Sequence, residues 1–326
     1  MANICLVDVD GHNKYSKLNK HVSNLGSDVP NLALMKLSAW HKQQGDDVSW
    51  YSGVLSNPDI VYASKVFTFT PDFTGYVRDH KYKVQRGGTG YDFSIKLPDE
   101  IEQTLPDLTL YNCNAAYGFL TRGCVRKCPW CVVPKKEGHI RVVDDIERIY
   151  QGKRHAILFD NNFLAAPVEF IREQADKMRA LKVYVDFNQA LDARLVTEEI
   201  AKILATMKWK PYMRFACDTD GVFDAVKNAI ELVRGYGYTG EIMVYCLAKE
   251  LDSALSRIYK LMALPNVTPY CMPYRNLDGD GEIVSGKGLR LLANWCNQQA
   301  VRKTVRFEDY RGAVARAGIK LDKQDE

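Results

Sequence analysis

The sequence predicts an α/β protein in three parts: an open, Rossmann-like sheet over residues 1–110, a partial (β/α)6 barrel over 111–275, and a short basic extension over 276–326. Three observations carry this. Strand-length apolar runs alternate with helical patterns along the chain, as they do in parallel sheets with crossover helices. From residue 117 onward the strands recur about every thirty residues, the length of one β/α unit. The C-terminal ends of those strands turn polar in phase, and that is where α/β sheets and barrels carry their sites.

In the first part, Ile4–Val9 reads as a strand running into Asp8, Asp10 and Gly11. A helix is expected from Pro30 to Gln44: proline suits the first turn, Leu32, Met35 and Ala39 share a face, and Gly45 stops it. Strands follow at Val48–Tyr51, Asp59–Ala63 and Tyr82–Gln85, the last leading to Gly87-Gly88. In the second part the candidate strands are Tyr117–Thr121, Ala156–Asp160, Val183–Phe187, Tyr212–Cys217, Ile242–Leu247 and Thr268–Met272. Between them lie helical faces such as Phe170/Ile171/Ala175/Met178 and Val222/Val226/Ile230/Val233. The polar strand ends are Arg122–Cys124, Asp160–Asn162, Asp186 with Asn188 and Gln189, Arg214 with Cys217 and Asp218, and Tyr274 with Arg275.

Composition excludes some classes. A 326-residue chain with 46% hydrophobic and 26% charged residues is globular in character. No apolar run approaches the ~20 residues that cross a bilayer. The start, Met1 to Asp10, lacks the basic region and cleavage site of a signal peptide, so a cytoplasmic protein without membrane contact is expected. In that compartment nine cysteines are ligands, core residues or reactive thiols rather than disulfides. A net charge of +4 names no partner. Between Lys287 and Lys320, however, eight Lys or Arg face only Glu308 and Asp309, a segment suited to phosphates or to a solvated helical face.

The sharpest signal is Cys124-Val-Arg-Lys-Cys128-Pro-Trp-Cys131, a Cys-x3-Cys-x2-Cys. Thiolates at this density select iron–sulfur clusters, Cu(I) or zinc. A zinc ribbon wants a second Cys or His pair, and only His139 stands nearby. Three thiolates on a four-iron cube leave one iron open to a substrate or cofactor. The plain alternative is a structural cluster or zinc site. Cys217, Cys246 and Cys271, on three different strands, lack local clustering and are expected in the core; Cys5, Cys113 and Cys296 carry no pattern.

The stretch Gly118-Phe119-Leu120-Thr121-Arg122-Gly123-Cys124 through Cys131 resembles the cluster loop of radical S-adenosylmethionine enzymes, with Trp130 in the aromatic place of Cys-x3-Cys-x-aromatic-Cys. The resemblance covers roughly residues 113–275. It implies a 4Fe–4S cluster on Cys124, Cys128 and Cys131, with S-adenosylmethionine on the open iron. One-electron cleavage would then release a 5′-deoxyadenosyl radical that modifies a substrate. It also implies an external electron donor of flavodoxin or ferredoxin type. Trp130 would lie against the adenine, and Asp160, Asn161 and Asn162 would accept from the methionine ammonium. These three stand where the family often has Gly-Gly-Glu, and with Phe163 they are similar to its Asp-Asp/Asn-x-Phe variant. Arg194 or Arg214 would hold the methionine carboxylate, and Asn188, Gln189 and Asp192 the ribose hydroxyls.

The first ~100 residues resemble the cobalamin-binding-like domain that precedes the barrel in many such enzymes. The carriers are Leu6–Gly11, Pro30–Lys36 and Gly87-Gly88-Thr89-Gly90. Asp10-Gly-His12-Asn-Lys-Tyr15 echoes the Asp-x-His-x-x-Gly motif, with Tyr15 in place of glycine and a polar insertion over Asn13–Val29. Cobalamin is therefore left open, against a scaffold or lid over the barrel mouth, with Lys14, Lys17, Lys20 and His21 at its rim. The function expected is a radical S-adenosylmethionine enzyme on an unidentified substrate, with an anionic one suited to the basic segment. The alternatives are a cobalamin-dependent methyltransferase of the same class, a nucleic-acid-modifying relative of the methylthiotransferases, and a structural iron–sulfur or zinc protein.

Overall fold

The computed structural model describes residues 1–11, 29–53, 56–72, 83–275 and 288–316. The fold is mixed α/β with several parallel sheets, in two compact units that divide between Gly118 and Phe119. The helices of 289–316 fall in the second unit.

The first unit holds β1 (Asn3–Asp8), α1 (Leu32–Gln43), β2 (Asp47–Trp50), β3 (Ile60–Ser64), β4 (Lys83–Gly87), α2 (Asp99–Glu102) and β5 (Ala116–Gly118). Four of its strands make one parallel sheet in the order β2-β1-β3-β4. The central strand β1 is apolar on both faces because both are covered. Ile4 and Leu6 pack with Leu34, Leu37 and Ile101, while Cys5 and Val7 pack with Tyr51, Val61 and Ala63. Helix α1 starts two residues later than expected because Asn31 is its cap, accepting from the Leu34 N–H at 3.3 Å; Pro30 lies outside. Its stop at Gly45 is as expected, with φ +82°.

The second unit begins with β6 (Thr121–Arg122), α3 (Val133–Lys136), β7 (Arg141–Val142) and α4 (Ile146–Ile149). Then come β8 (His155–Leu158), α5 (Val168–Ala180), β9 (Tyr184–Phe187), α6 (Glu198–Thr206), β10 (Lys208–Trp209) and β11 (Met213–Ala216). The unit closes with α7 (Phe223–Gly235), β12 (Ile242–Ala248), α8 (Leu251–Met262), β13 (Val267–Pro273), α9 (Leu289–Asn297), α10 (Gln299–Thr304) and α11 (Phe307–Arg316). β8, β9 and β10 pair in parallel, as do β11, β12 and β13. The two groups meet where Leu191, just past β9, bridges to Phe215. Helices bury the faces their periodicity foretells: Ile171, Ala175 and Met178 on α5, Val226, Ile230 and Val233 on α7. Each of these side chains except Ala175 contributes about 1.5–3 kcal/mol on burial.

One expected strand is corrected. Tyr117–Thr121 is not continuous: β5 ends at Gly118, and Thr121–Arg122 turns instead into an antiparallel hairpin with Arg141–Val142. The cause is Asp160. Its buried carboxylate accepts from Leu120 N (3.1 Å), Thr121 N (2.6 Å) and Thr121 Oγ1 (2.6 Å), taking up donors a ladder would otherwise use.

Candidate active site around the cysteine loop

The β6–β7 hairpin closes the base of a loop that carries Cys124, Cys128 and Cys131. Gly123 sits at φ +87°, where a Cβ would lie 2.1 Å from the His139 carbonyl oxygen, so only glycine fits. Its N–H donates to Asn161 Oδ1 at 2.9 Å, and the Cys124 N–H donates to Gly138 O at 3.1 Å. Glu137 braces the base between Arg122 (3.0 Å) and Arg141 (3.5 Å).

The Cys124 sulfur accepts two N–H groups, from Arg126 N and from Asn162 Nδ2, each at 3.3 Å. Asn162 Nδ2 also reaches Asp192 Oδ2 at 3.5 Å. Asp192, 8% exposed, is gripped by Arg194 (Nε–Oδ1 2.6 Å, Nη2–Oδ2 3.0 Å) and by Arg126 Nε at 2.9 Å. Burial pushes its carboxyl up, and the two guanidiniums more than reverse that, holding it below the usual carboxylate range. Asn162 Oδ1 is buried with no hydrogen-bond partner among the described residues.

Burial raises the thiols of Cys128 and Cys131, and the neighbouring thiols and Asp218 add to it; for Cys128, Arg194 opposes. Asp218 is itself raised, by burial first, with Asp192 adding and Arg257 and Arg194 opposing. Three thiols thus lie within electrostatic reach of two carboxyls, Asp192 paired with Arg126 and Arg194, and Asp218 opposed by Arg257 and Arg194. That donor set fits an iron–sulfur cluster, since a coordinating cation deprotonates thiols outright. Among the described residues, though, no three His, Cys, Asp or Glu side chains converge tightly enough to hold a metal ion as they stand. The loop brings the thiols within each other's electrostatic reach but does not close them into a ligand set.

The other expected site residues are distributed differently. Asp160, 1% exposed, is spent on the backbone of Leu120 and Thr121, with its carboxyl pushed up by burial to about 6. Asn161 holds Gly123. Arg214 is taken by a buried bidentate pair with Asp186 (2.6 and 2.7 Å) and by Tyr245 OH at 2.9 Å. Asn188 and Gln189 bond one another at 3.3 Å, with no hydrogen bond to Asp192 among the described residues. Trp130 carries the Lys249 ammonium 4.3 Å from its ring centroid, and the same ammonium lies 4.6 Å from that of Tyr274. Sequence reasoning misses Arg126 and Lys249 as members of the site. Arg126 is visible as a cation inside the cysteine motif; Lys249 gives no local signal.

In the first unit the glycines expected to admit a bulky ligand serve the chain itself. A Cβ at Gly88 would lie 2.3 Å from Lys65 O, and one at Gly90 would lie 2.7 Å from Phe67 O. Asp10 is held by Phe67 N (3.3 Å) and Thr70 Oγ1 (2.6 Å), and buried Asp8 accepts from Tyr111 OH at 2.7 Å. Gly88 and Gly90 are thus accounted for by close approach to the backbone of Lys65 and Phe67. His12, Tyr15 and the insertion up to residue 28 lie outside the described residues.

No protein-family model matches the chain, and no curated protein matches it. No helix among the described residues is long and apolar enough to cross a membrane.

Proposed function

We propose that the chain is a radical S-adenosylmethionine enzyme, with a 4Fe–4S cluster held by Cys124, Cys128 and Cys131. The observation that carries this reading is the polar collar on the cysteine loop: a sulfur that accepts two N–H groups beside a buried, unpartnered Asn162 Oδ1. A sulfur that accepts hydrogen bonds suits a thiolate ligand, and an orphaned buried carbonyl suits an incoming N–H donor such as a methionine ammonium. On this reading the strands β8 to β13, parallel and in chain order, are a partial barrel with the loop at their C-terminal ends, and the first unit is Rossmann-like.

The cluster and S-adenosylmethionine, when bound, supply one-electron cleavage and a carbon radical. The chain's own residues do the rest. Asn162 and the Arg126 N–H orient the Cys124 sulfur. Asp192 fixes the Arg126 and Arg194 guanidiniums, as Asp186 fixes Arg214; Arg194 is exposed where Arg214 is buried, so it is the better placed of the two expected cations to meet a carboxylate.

Anaerobic reconstitution with iron and sulfide, followed by dithionite and S-adenosylmethionine, tests the reading. About four irons per chain and release of 5′-deoxyadenosine are expected, both lost in the Cys124→Ala, Cys128→Ala and Cys131→Ala variant. Stable zinc without sulfide, or no binding of S-adenosylmethionine, overturns it.

A further inference from the structure

Arg214 and Lys249 are two cations on one face of the β11–β13 sheet, and only one of them is neutralised. Arg214 is the register partner of Met243 on β12, and Asp186 answers its charge with a bidentate pair. Lys249 follows β12 directly. Its ammonium lies 4.3 Å from the Trp130 ring centroid and 4.6 Å from that of Tyr274, with no carboxylate within ion-pair distance among the described residues. Ring faces attract an ammonium but carry no net charge. They hold a flexible four-carbon chain in one direction and leave its charge to be met by something else. A cation fixed in this way loses little freedom when an anion arrives, which favours binding.

The strand face that ends at Lys249 shows what the rest of such a ligand is. Along β12 the side chains alternate: Val244, Cys246 and Ala248 are fully buried on one face, whereas Met243, Tyr245 and Leu247 on the other are only half-buried. Tyr270 and Met272 of β13, opposite Tyr245 and Leu247 in register, are half-buried as well. A parallel sheet is normally covered on both faces; the centre of this one leaves large side chains partly open. Tyr245 and Tyr270 meet edge to face at 5.7 Å. Tyrosine rings and the sulfurs of Met243 and Met272 receive an aromatic ring well, through ring edges and polarisable sulfur. The Tyr274 N–H donates to Ala248 O at 2.9 Å and carries the register one step further, so Lys249 and Tyr274 form the last rung of the same face. From the Leu247–Met272 rung to that one is two residues, about 6.6 Å. A ring lying over the first sets its substituent against the Lys249 ammonium.

We propose that this face binds an aromatic oxyanion, a planar ring carrying a carboxylate or phosphate, with Lys249 as the partner of the anion and Trp130 and Tyr274 positioning the ammonium. Trp130 lies between Cys128 and Cys131, so the charged end of the ligand comes to the cysteine loop. That this ligand is the substrate rests on the radical reading of the loop; that the face binds it does not. S-adenosylmethionine also has a ring and a carboxylate, but at opposite ends of the molecule, and its carboxylate falls to Arg194 on that reading.

The test titrates the full chain, by calorimetry at one ionic strength, with benzoate, phenyl phosphate, benzyl alcohol and inorganic phosphate. Benzoate or phenyl phosphate should bind about tenfold or more tightly than benzyl alcohol, which lacks the charge, and than inorganic phosphate, which lacks the ring. The tighter of the two names the oxyanion. Lys249→Met should reduce the anionic probes to the affinity of benzyl alcohol, and Lys249→Arg should keep their advantage. In the unaltered chain, no binding of any probe, or equal affinity for benzyl alcohol and the anionic probes, overturns the proposal. Unchanged titrations in Lys249→Met overturn it too, as does displacement of the bound probe by S-adenosylhomocysteine, which would make the face the cofactor's. A chain that binds the anionic probes but never releases 5′-deoxyadenosine fails the radical reading alone. One that releases it while binding all four probes alike fails this inference alone.

Discussion

Asn162 donates its side-chain N–H to the Cys124 sulfur at 3.3 Å while its own Oδ1 stays buried without a hydrogen-bond partner among the described residues. The two halves of one amide therefore do separate work, and truncation removes both. Asn162→Ala should weaken S-adenosylmethionine binding to reconstituted protein by about 10–100-fold, the usual cost of losing a group that orients a metal ligand. Calorimetry checks this; unchanged affinity would mean that Oδ1 meets no cofactor.

Asp160 should behave as a structural group. Its folded-state carboxyl, raised to about 6, binds a proton more tightly than the unfolded chain does. Its contribution to stability is thus full below the ordinary value near 3.8 and lost as pH rises through about 6. A carboxyl carried that far from its ordinary value couples roughly 3 kcal/mol of folding free energy to pH. Asp160→Asn, which sets an N–H against the donors of Leu120 and Thr121, should cost about 1–3 kcal/mol more at pH 4.5 than at pH 7. Urea titrations of the metal-free protein at both pH values check it.

Two glycines of the cysteine loop make a matched pair. Both have positive φ, +87° at Gly123 and +72° at Gly138, but only Gly123 meets backbone where a Cβ would go. Gly138→Ala should cost only the left-handed strain, about 1–2 kcal/mol. Gly123→Ala should in addition open the hairpin and abolish iron retention. Melting temperature and iron content of the two variants provide the comparison.

Breaking the Arg214–Asp186 pair from one side strands a buried charge. Arg214→Leu should destabilise the protein by about 3–5 kcal/mol, and adding Asp186→Leu should restore much of that. Arg194→Leu, at an exposed cation whose buried partner Asp192 keeps Arg126, should cost less stability than Arg214→Leu and weaken cofactor binding. Denaturant midpoints and calorimetry separate the two arginines.

Strand positions are legible because they are apolar runs of local origin: Val183–Phe187 is expected where Tyr184–Phe187 pairs, and Thr268–Met272 where Val267–Pro273 does. The break after Gly118 is not, because its cause, Asp160, lies about forty residues away in sequence. The cysteines of the loop are legible from spacing, and their neighbours only in part. A strand-end arginine announces a cation, but only the placement of β11 beside β9 brings Arg214 to Asp186, whereas Arg194 meets Asp192 two residues before it. Thiols that look scattered along the chain, such as Cys217 and Cys246, become neighbours because β11 and β12 pair in parallel.

If the loop takes up iron as proposed, the hairpin of Thr121–Arg122 with Arg141–Val142 bears on the order of events. Its strand bonds, with the Cys124 N–H to Gly138 O bond, join the two ends of the cysteine-bearing segment by backbone contacts alone. Loop-closure entropy, which scales as about 1.5 RT ln n for a loop of n residues, is therefore lost when the unit folds, not when iron arrives. Only the shorter excursion between Cys124 and Cys131 is left to order. On the proposed reading, assembly of a cluster would be a local step on a finished scaffold, and removing the metal should leave the scaffold standing.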